Sequence, residues 1–232
     1  MKQFARDRTP GKICLPIVET TVEKAIRAMA RARRLADLVE LRVDYMKNPG
    51  LELLLNRREI PCIITNRRRE EGGRYRGDEK SRLAILRQAI HLGFDFVDVE
   101  MESGKSAIFE LMENNLKTRL ILSCHDFKKT PPLKDLRSLC RRMIRYGADV
   151  IKIVTLAQSW EDNLKVLSLI PYALERKKKV VALCMGEKGK MSRIFAPLMG
   201  GAWTYASLDK NRTSAPGQLT AWELKAIWGR LR

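Results

Sequence analysis

Histidine is scarce in this chain, with only His91 and His125 among 232 residues. The five cysteines do not make up for it. Cys14, Cys62, Cys124, Cys140 and Cys184 are odd in number and form no C-x-x-C pair. A structural zinc needs clustered thiol and imidazole ligands, and a secreted scaffold needs paired cysteines, so neither a metal nor a disulfide framework is expected. Most of these thiols stand in or beside apolar runs, where cysteine acts as a small hydrophobe. Long apolar runs are missing too. No stretch of about 18 uncharged apolar residues is present to span a bilayer. The charged start Met1-Lys2-Gln3-Phe4-Ala5-Arg6-Asp7-Arg8 leads into a run, Ile13-Cys14-Leu15-Pro16-Ile17-Val18, too short and too broken for a signal peptide. A cytoplasmic location is expected.

Acidic residues are also in short supply: 27 against 45 basic ones, a net charge of +18. Such an excess raises the question of a polyanionic partner. The basic clusters at 31–34, 67–69, 137–145 and 176–179 are scattered along the sequence and not interleaved with aromatics, which make up 6% of it. Solvated helix faces account for most of them, so weak nonspecific binding at low salt is expected, but no specific nucleic-acid partner.

What the chain does have is a repeated alternation. β-branched apolar runs at 12–18, 37–43, 60–65, 94–100, 119–123, 148–155, 179–185 and 202–207 alternate with segments of helical period at 21–34, 78–92, 105–116, 133–145, 159–173, 192–198 and 218–228. Near-continuous hydrophobicity fits parallel strands covered on both faces. Eight such units predict an α/β fold, a (β/α)8 TIM barrel forming a single domain over 1–232, in preference to an open doubly wound sheet.

In a barrel, the chemistry sits at the carboxyl ends of the strands. The run Ala148-Asp149-Val150-Ile151-Lys152-Ile153-Val154-Thr155 carries one lysine among Val and Ile. A desolvated amine there is a Schiff-base candidate; the alternative is a lysine whose stem packs while its head reaches water. Glu40 and Arg42 share a strand face and are expected to satisfy each other at the mouth, as a functional or a purely structural ion pair. Arg67 and Glu71 flank a loop with paired glycines, Gly72-Gly73, and could point inward. Asp98 and Glu100 are two acids on one face of a strand end, awaiting cations from neighbouring strands. His125 ends the strand before the lysine strand and is a candidate proton shuttle. His91, late in a helical segment, is expected to be a cap or surface residue. The loop from Gly186 to Arg193 has the makings of an anion site, and 212–218 those of a lid.

These motifs together resemble the type I 3-dehydroquinate dehydratase family. The resemblance runs from Cys14-Leu15-Pro16-Ile17, through Glu40-Leu41-Arg42-Val43-Asp44, Thr65-Asn66-Arg67 with Glu71-Gly72-Gly73, Asp98-Val99-Glu100, Ser123-Cys124-His125-Asp126-Phe127, Asp149-Val150-Ile151-Lys152 and Met185-Gly186 with Ser192-Arg193, to Ser214-Ala215-Pro216-Gly217-Gln218. It implies a (β/α)8 enzyme of the shikimate pathway that uses neither metal nor cofactor. Lys152 would form an imine with the ketone of 3-dehydroquinate. His125 would be the general base and acid, with Glu71 tuning it. Arg193 would hold the substrate carboxylate, and Glu40, Arg42 and Arg67 would bind ring hydroxyls and order the site. Ser214 and Gln218 would belong to the lid, and a homodimer would be expected. Cys124 stands where a larger residue is common, and Met199 where an aromatic is expected. The chain ends before any fused shikimate dehydrogenase domain, so a monofunctional enzyme is expected. Two rivals remain at this stage, a class I aldolase or transaldolase and a basic nucleic-acid-binding protein.

Overall fold

The computed structural model describes residues 11–113, 115, 117–209 and 215–231. The strands are β1 (Ile13–Ile17), β2 (Leu38–Arg42), β3 (Cys62–Thr65), β4 (Phe96–Glu100), β5 (Arg119–Asp126), β6 (Val150–Leu156), β7 (Lys179–Met185) and β8 (Thr204–Tyr205). All are parallel, in the order β7-β6-β5-β4-β3-β2-β1-β8. Between β7 and β8 the seam carries no ladder; the Ala202 N–H donating to Val180 O at 2.8 Å draws the two together. Eight parallel strands with their connecting helices outside make a nearly closed (β/α)8 barrel.

The helices are α1 (Val22–Ala32), α2 (Leu51–Asn56), α3 (Glu79–Leu92), α4 (Lys105–Met112), α5 (Leu133–Arg145), α6 (Asp162–Leu167), α7 (Leu169–Leu174), α8 (Lys190–Phe195) and α9 (Ala221–Arg230). Their apolar positions explain how they seat. In α1, Ala25, Ala28, Met29 and Ala32 form the i, i+3, i+4, i+7 stripe that is buried, and the Thr21 hydroxyl caps the start by accepting from Lys24 N. A capping box between Thr220 and Glu223 starts α9, and the Trp228 indole donates to Ile194 O at 2.9 Å, pinning α9 onto α8. No helix among the described residues is long and apolar enough to cross a membrane.

The floor of the barrel is sealed by a repeated device. Asp37, Asp95 and Asp149 each stand one residue before an even-numbered strand, and each accepts from the backbone N–H of the preceding strand: Ile13 at 2.8 Å, Cys62 at 2.9 Å and Leu120 at 2.8 Å. A short acceptor at the strand entrance thus satisfies a donor that would otherwise be left over at the sheet's lower edge. Phe96 and Trp203 meet edge to face at 5.6 Å just inside, and the Arg119 guanidinium stacks 4.0 Å from the Phe96 ring.

Several boundaries differ from expectation. The segment 159–173 forms two short helices, because Pro171 has no N–H to continue the i→i−4 ladder from α6. The short helix α2 is one the sequence pattern does not announce. β5 runs three residues further than expected because Cys124, His125 and Asp126 keep pairing with Ile153, Val154 and Thr155. That extension carries His125 up to the mouth.

Candidate active site

Lys152 is 4% exposed and pairs across the sheet with Ser123 on β5 and Val181 on β7. Its head is not stranded among aliphatic groups as the sequence suggests. Nζ donates to Asp98 Oδ2 at 2.8 Å and to Glu40 Oε1 at 3.0 Å, and lies 4.5 Å from the centre of the Tyr205 ring. Two carboxylates and an aromatic face therefore offset the desolvation of the nitrogen. The expected Glu40–Arg42 pair does not form. Just after β2 the chain makes a 3-10 turn over Val43–Tyr45, which swings Asp44 back beside Arg42, and the guanidinium grips it in a fork at 2.8 and 2.7 Å. Glu40, one rung lower, is left to Lys152 and to the Thr65 hydroxyl at 2.8 Å.

A buried charge network surrounds this floor. Arg67 donates to Asp98 at 2.8 Å and to the Ser123 hydroxyl at 2.7 Å, lies 3.0 Å from Glu100, and comes within 4.0 Å of Glu40. Ser123 in turn donates to the other Asp98 oxygen at 2.6 Å. Arg82, reaching in from α3, closes the chain by donating to Glu100 and to Asn66 O, at 2.8 and 2.7 Å. Burial would raise the Asp98 carboxyl, but Arg67 and Lys152 beside it hold it well below the usual carboxylate range. The two acids flagged at the end of β4 have thus found their cations. Arg67 is fully engaged within the protein, a position suited to ordering the site.

His125 is fixed by the loop that follows β3. That loop turns tightly because Gly73 lies where a Cβ would meet Arg67 O at 1.9 Å, and Gly72 takes a φ of +77°. The turn delivers Glu71 to His125: one oxygen, Oε2, accepts from the His125 backbone N–H at 3.0 Å and lies 2.8 Å from Nδ1. Phe127 stacks beside the imidazole, centroids 6.3 Å apart. Burial pushes the imidazole well below its ordinary value, and Arg67 and Lys152 add to the effect. A neutral ring that donates through Nδ1 to Glu71 keeps its lone pair on Nε2. Burial also pushes Glu71 up to about 7, with Arg67 pulling the other way.

The raised Glu71 makes a prediction. The folded protein binds this proton more tightly than the unfolded chain, so between about pH 4.5 and 7 stability falls as pH rises, and above that window the full cost applies. Glu71→Gln is expected to match the parent in thermal melts at pH 4 and to exceed it at pH 8, by up to about 3 kcal/mol. Its acid limb in the pH–rate profile, near pH 7 in the parent, should disappear while turnover drops. Equal melts at pH 8 would contradict this account.

Arg193 differs from the other buried arginines. It is 2% exposed, and among the described residues its Nε has no partner and its terminal nitrogens make only long contacts of 3.5 Å, to Tyr205 O and Pro216 O. Among the described residues no carboxylate lies within ion-pair range of it. Burial pushes it down to about 10. It lines the same cavity as Lys152, His125 and Glu71, as do Glu40, Arg42, Arg67 and Gln218. Gln218 follows a strap that lies directly on the loop after β7: the Gly186 N–H donates to Pro216 O at 3.1 Å, and a Cβ on Gly217 would meet Gly186 O at 2.1 Å. Ser214, expected in the lid, falls outside the described residues. Tyr205 and Phe127 line the cavity without having been expected there, and Asp98 holds the lysine without having been counted in the site. Alternation through β8 and the residue before it puts Trp203 and Tyr205 on one face, a signal so short a strand does not make plain. His91 is exposed in the last turn of α3, as expected.

The barrel and the groups at its mouth define an enzyme equipped for amine–carbonyl chemistry on a small anion. Residues 13–231 match the family model of the type I 3-dehydroquinases, and the chain belongs to that family. It is 39% identical over 218 residues to the 3-dehydroquinate dehydratase of Methanocaldococcus jannaschii, covering 93% of this chain and 97% of that one. It is 35% identical over 227 residues to the chloroplastic bifunctional 3-dehydroquinate dehydratase/shikimate dehydrogenase of Arabidopsis thaliana, of which it spans 37%. The crystal structure of the type I 3-dehydroquinate dehydratase from Clostridium difficile with covalently modified comenic acid superposes with a TM-score of 0.86 at 28% identity, covering 95% of this chain and 92% of that one.

Proposed function

We propose that this barrel eliminates water from 3-dehydroquinate to give 3-dehydroshikimate through an imine on Lys152. The observation that carries the reading is the Lys152 nitrogen, buried at the floor of a cavity whose walls hold His125 and Arg193. Arg193 receives the substrate carboxylate, whose charge it otherwise lacks. Glu40, 3.0 Å from Nζ, takes the proton that frees the amine. The amine adds to the C3 ketone and water leaves, giving a cationic imine that makes the C2 hydrogen acidic. His125 removes that proton through Nε2, the resulting enamine expels the C1 hydroxyl, and the protonated histidine supplies the proton that makes it water. Hydrolysis of the remaining imine returns the lysine. Arg67 orders the walls, Arg42 meets ring hydroxyls, and Gln218 helps to close the mouth. The same reading has one barrel domain working in the cytoplasm as a homodimer, with no specific nucleic-acid partner.

Mixing the protein with 3-dehydroquinate should produce the absorbance of a conjugated enone, and borohydride added during turnover should leave ligand mass on a peptide containing Lys152. Enone formation with no trapped mass, or mass on another residue, would overturn the imine route. Carbon–carbon cleavage products would point to an aldolase instead.

A further inference from the structure

Two basic clusters that are separate in the sequence, 137–145 and 176–179, come together where α5 packs against α7 on the outer layer of the barrel. Tyr172 organises them. The Arg176 guanidinium lies 3.7 Å from its ring centre and that of Arg137 5.1 Å, and Arg141 donates to its hydroxyl at 3.1 Å. Arg176 also donates to Tyr172 O at 2.8 Å. Stacking and hydrogen bonds thus hold long side chains that would otherwise roam. Beside them runs a groove of about 410 Å³ lined by Ser138, Arg141, Ile144, Arg145 and Arg176.

Counter-charge is almost absent. Arg137, Arg141 and Arg145 recur every four residues along α5, a spacing that sets like charges one above another and works against the helix. Among the described residues the only carboxylate in ion-pair range of this group is Glu175, 3.5 Å from Arg176 and 73% exposed. The field reaches inward as well: burial pushes the Cys140 thiol beneath up to about 11, and Arg176 and Arg141 work against that rise. None of these arginines takes part in the barrel-mouth chemistry.

We propose that this groove binds a phosphoryl group, free or as the monoester of a small molecule. Three guanidinium groups and one hydroxyl around one groove supply more charge and more donors than a carboxylate can use, and they suit a tetrahedral dianion. Their convergence on a single groove favours one phosphoryl group over a chain of them. Ile144 offers an apolar wall for the body of an ester.

The test titrates the full chain with inorganic phosphate and, separately, with a nucleoside monophosphate, at constant ionic strength, following the backbone amide signals of α5 and α7. One saturable site is expected at those signals. Arg141→Ala/Arg145→Ala should weaken it by about tenfold or more, and Arg141→Lys/Arg145→Lys should weaken it measurably although the charge is kept. Both variants sit on an exposed helix face where Ala and Lys are good helix formers, and dehydratase turnover should be unchanged. Tighter binding of the monophosphate would identify an ester as the ligand, and equal binding the free ion. No saturation, binding that survives the Ala pair because phosphate has gone to Arg193, or binding of single-stranded RNA with none of either small anion would each overturn the proposal.

Discussion

Lys152→Arg is expected to yield a protein that melts close to the parent and turns over at no more than roughly one part in 10⁴ of its rate. The two halves of this result have separate causes. The rate is lost because a guanidinium does not form an imine, so the covalent route is closed whatever else remains in place. Stability is kept because the new cation still faces Asp98 and Glu40, the two carboxylates that hold the lysine at 2.8 and 3.0 Å. Lys152→Ala separates the effects. It is expected to be equally inactive and also less stable by about 3 kcal/mol, the scale for removing one partner from a buried ion pair. Arg67 limits the damage, since it remains 2.8 Å from Asp98. Steady-state turnover and thermal melts on the two variants check this. A Lys152→Arg protein with more than about 1% of parental turnover would remove the imine from the mechanism.

Much of this arrangement was legible in the residues, and the parts that were not share a cause. Strand alternation put Lys152, His125, Glu40 and Arg67 at the carboxyl ends of barrel strands, and the structure gathers all four around one cavity. The partners were harder to assign. Glu40 and Arg42 share a face of one strand, so they look paired; yet the choice depends on which rung of the barrel each reaches, and Glu40 meets a lysine 112 residues away. Asp98 was visible as an acid in need of a cation, but its lysine comes from two strands further round the barrel. Nothing local in the sequence states that distance. Charge clusters at 137–145 and 176–179 likewise read as scattered until α5 and α7 were laid side by side with Tyr172 between them. Periodicity reports faces within an element; it does not report the level at which faces of different elements meet.

The buried charges also separate stability from chemistry. Asp98, Arg67, Glu100 and Arg82 are joined in that order by contacts between 2.8 and 3.0 Å. Glu71 and Arg193 stand apart: among the described residues, one Glu71 oxygen and the Arg193 Nε are buried without partners. Those two groups are held in place at a cost, and each points to a task. In the proposed mechanism Glu71 holds the histidine tautomer and Arg193 receives the substrate carboxylate.

His125→Ala should slow turnover by about 10²-fold or more, the usual contribution of a positioned acid–base group, while leaving the imine within reach. Lys152 keeps both carboxylates and the Tyr205 ring in this variant, since none of those contacts runs through the imidazole. Borohydride should therefore still fix ligand mass on Lys152, and the trapped fraction at saturating substrate should rise, because the step after the imine is the one that has slowed. The variant's pH–rate profile should lose the limb near pH 7 as well, since Glu71 acts on the reaction through the Nδ1 contact at 2.8 Å. Quenched-flow trapping beside steady-state rates distinguishes the cases. Slow turnover with no trapped imine would move His125 from proton transfer at C2 to imine formation itself, and unchanged turnover would take it out of the mechanism.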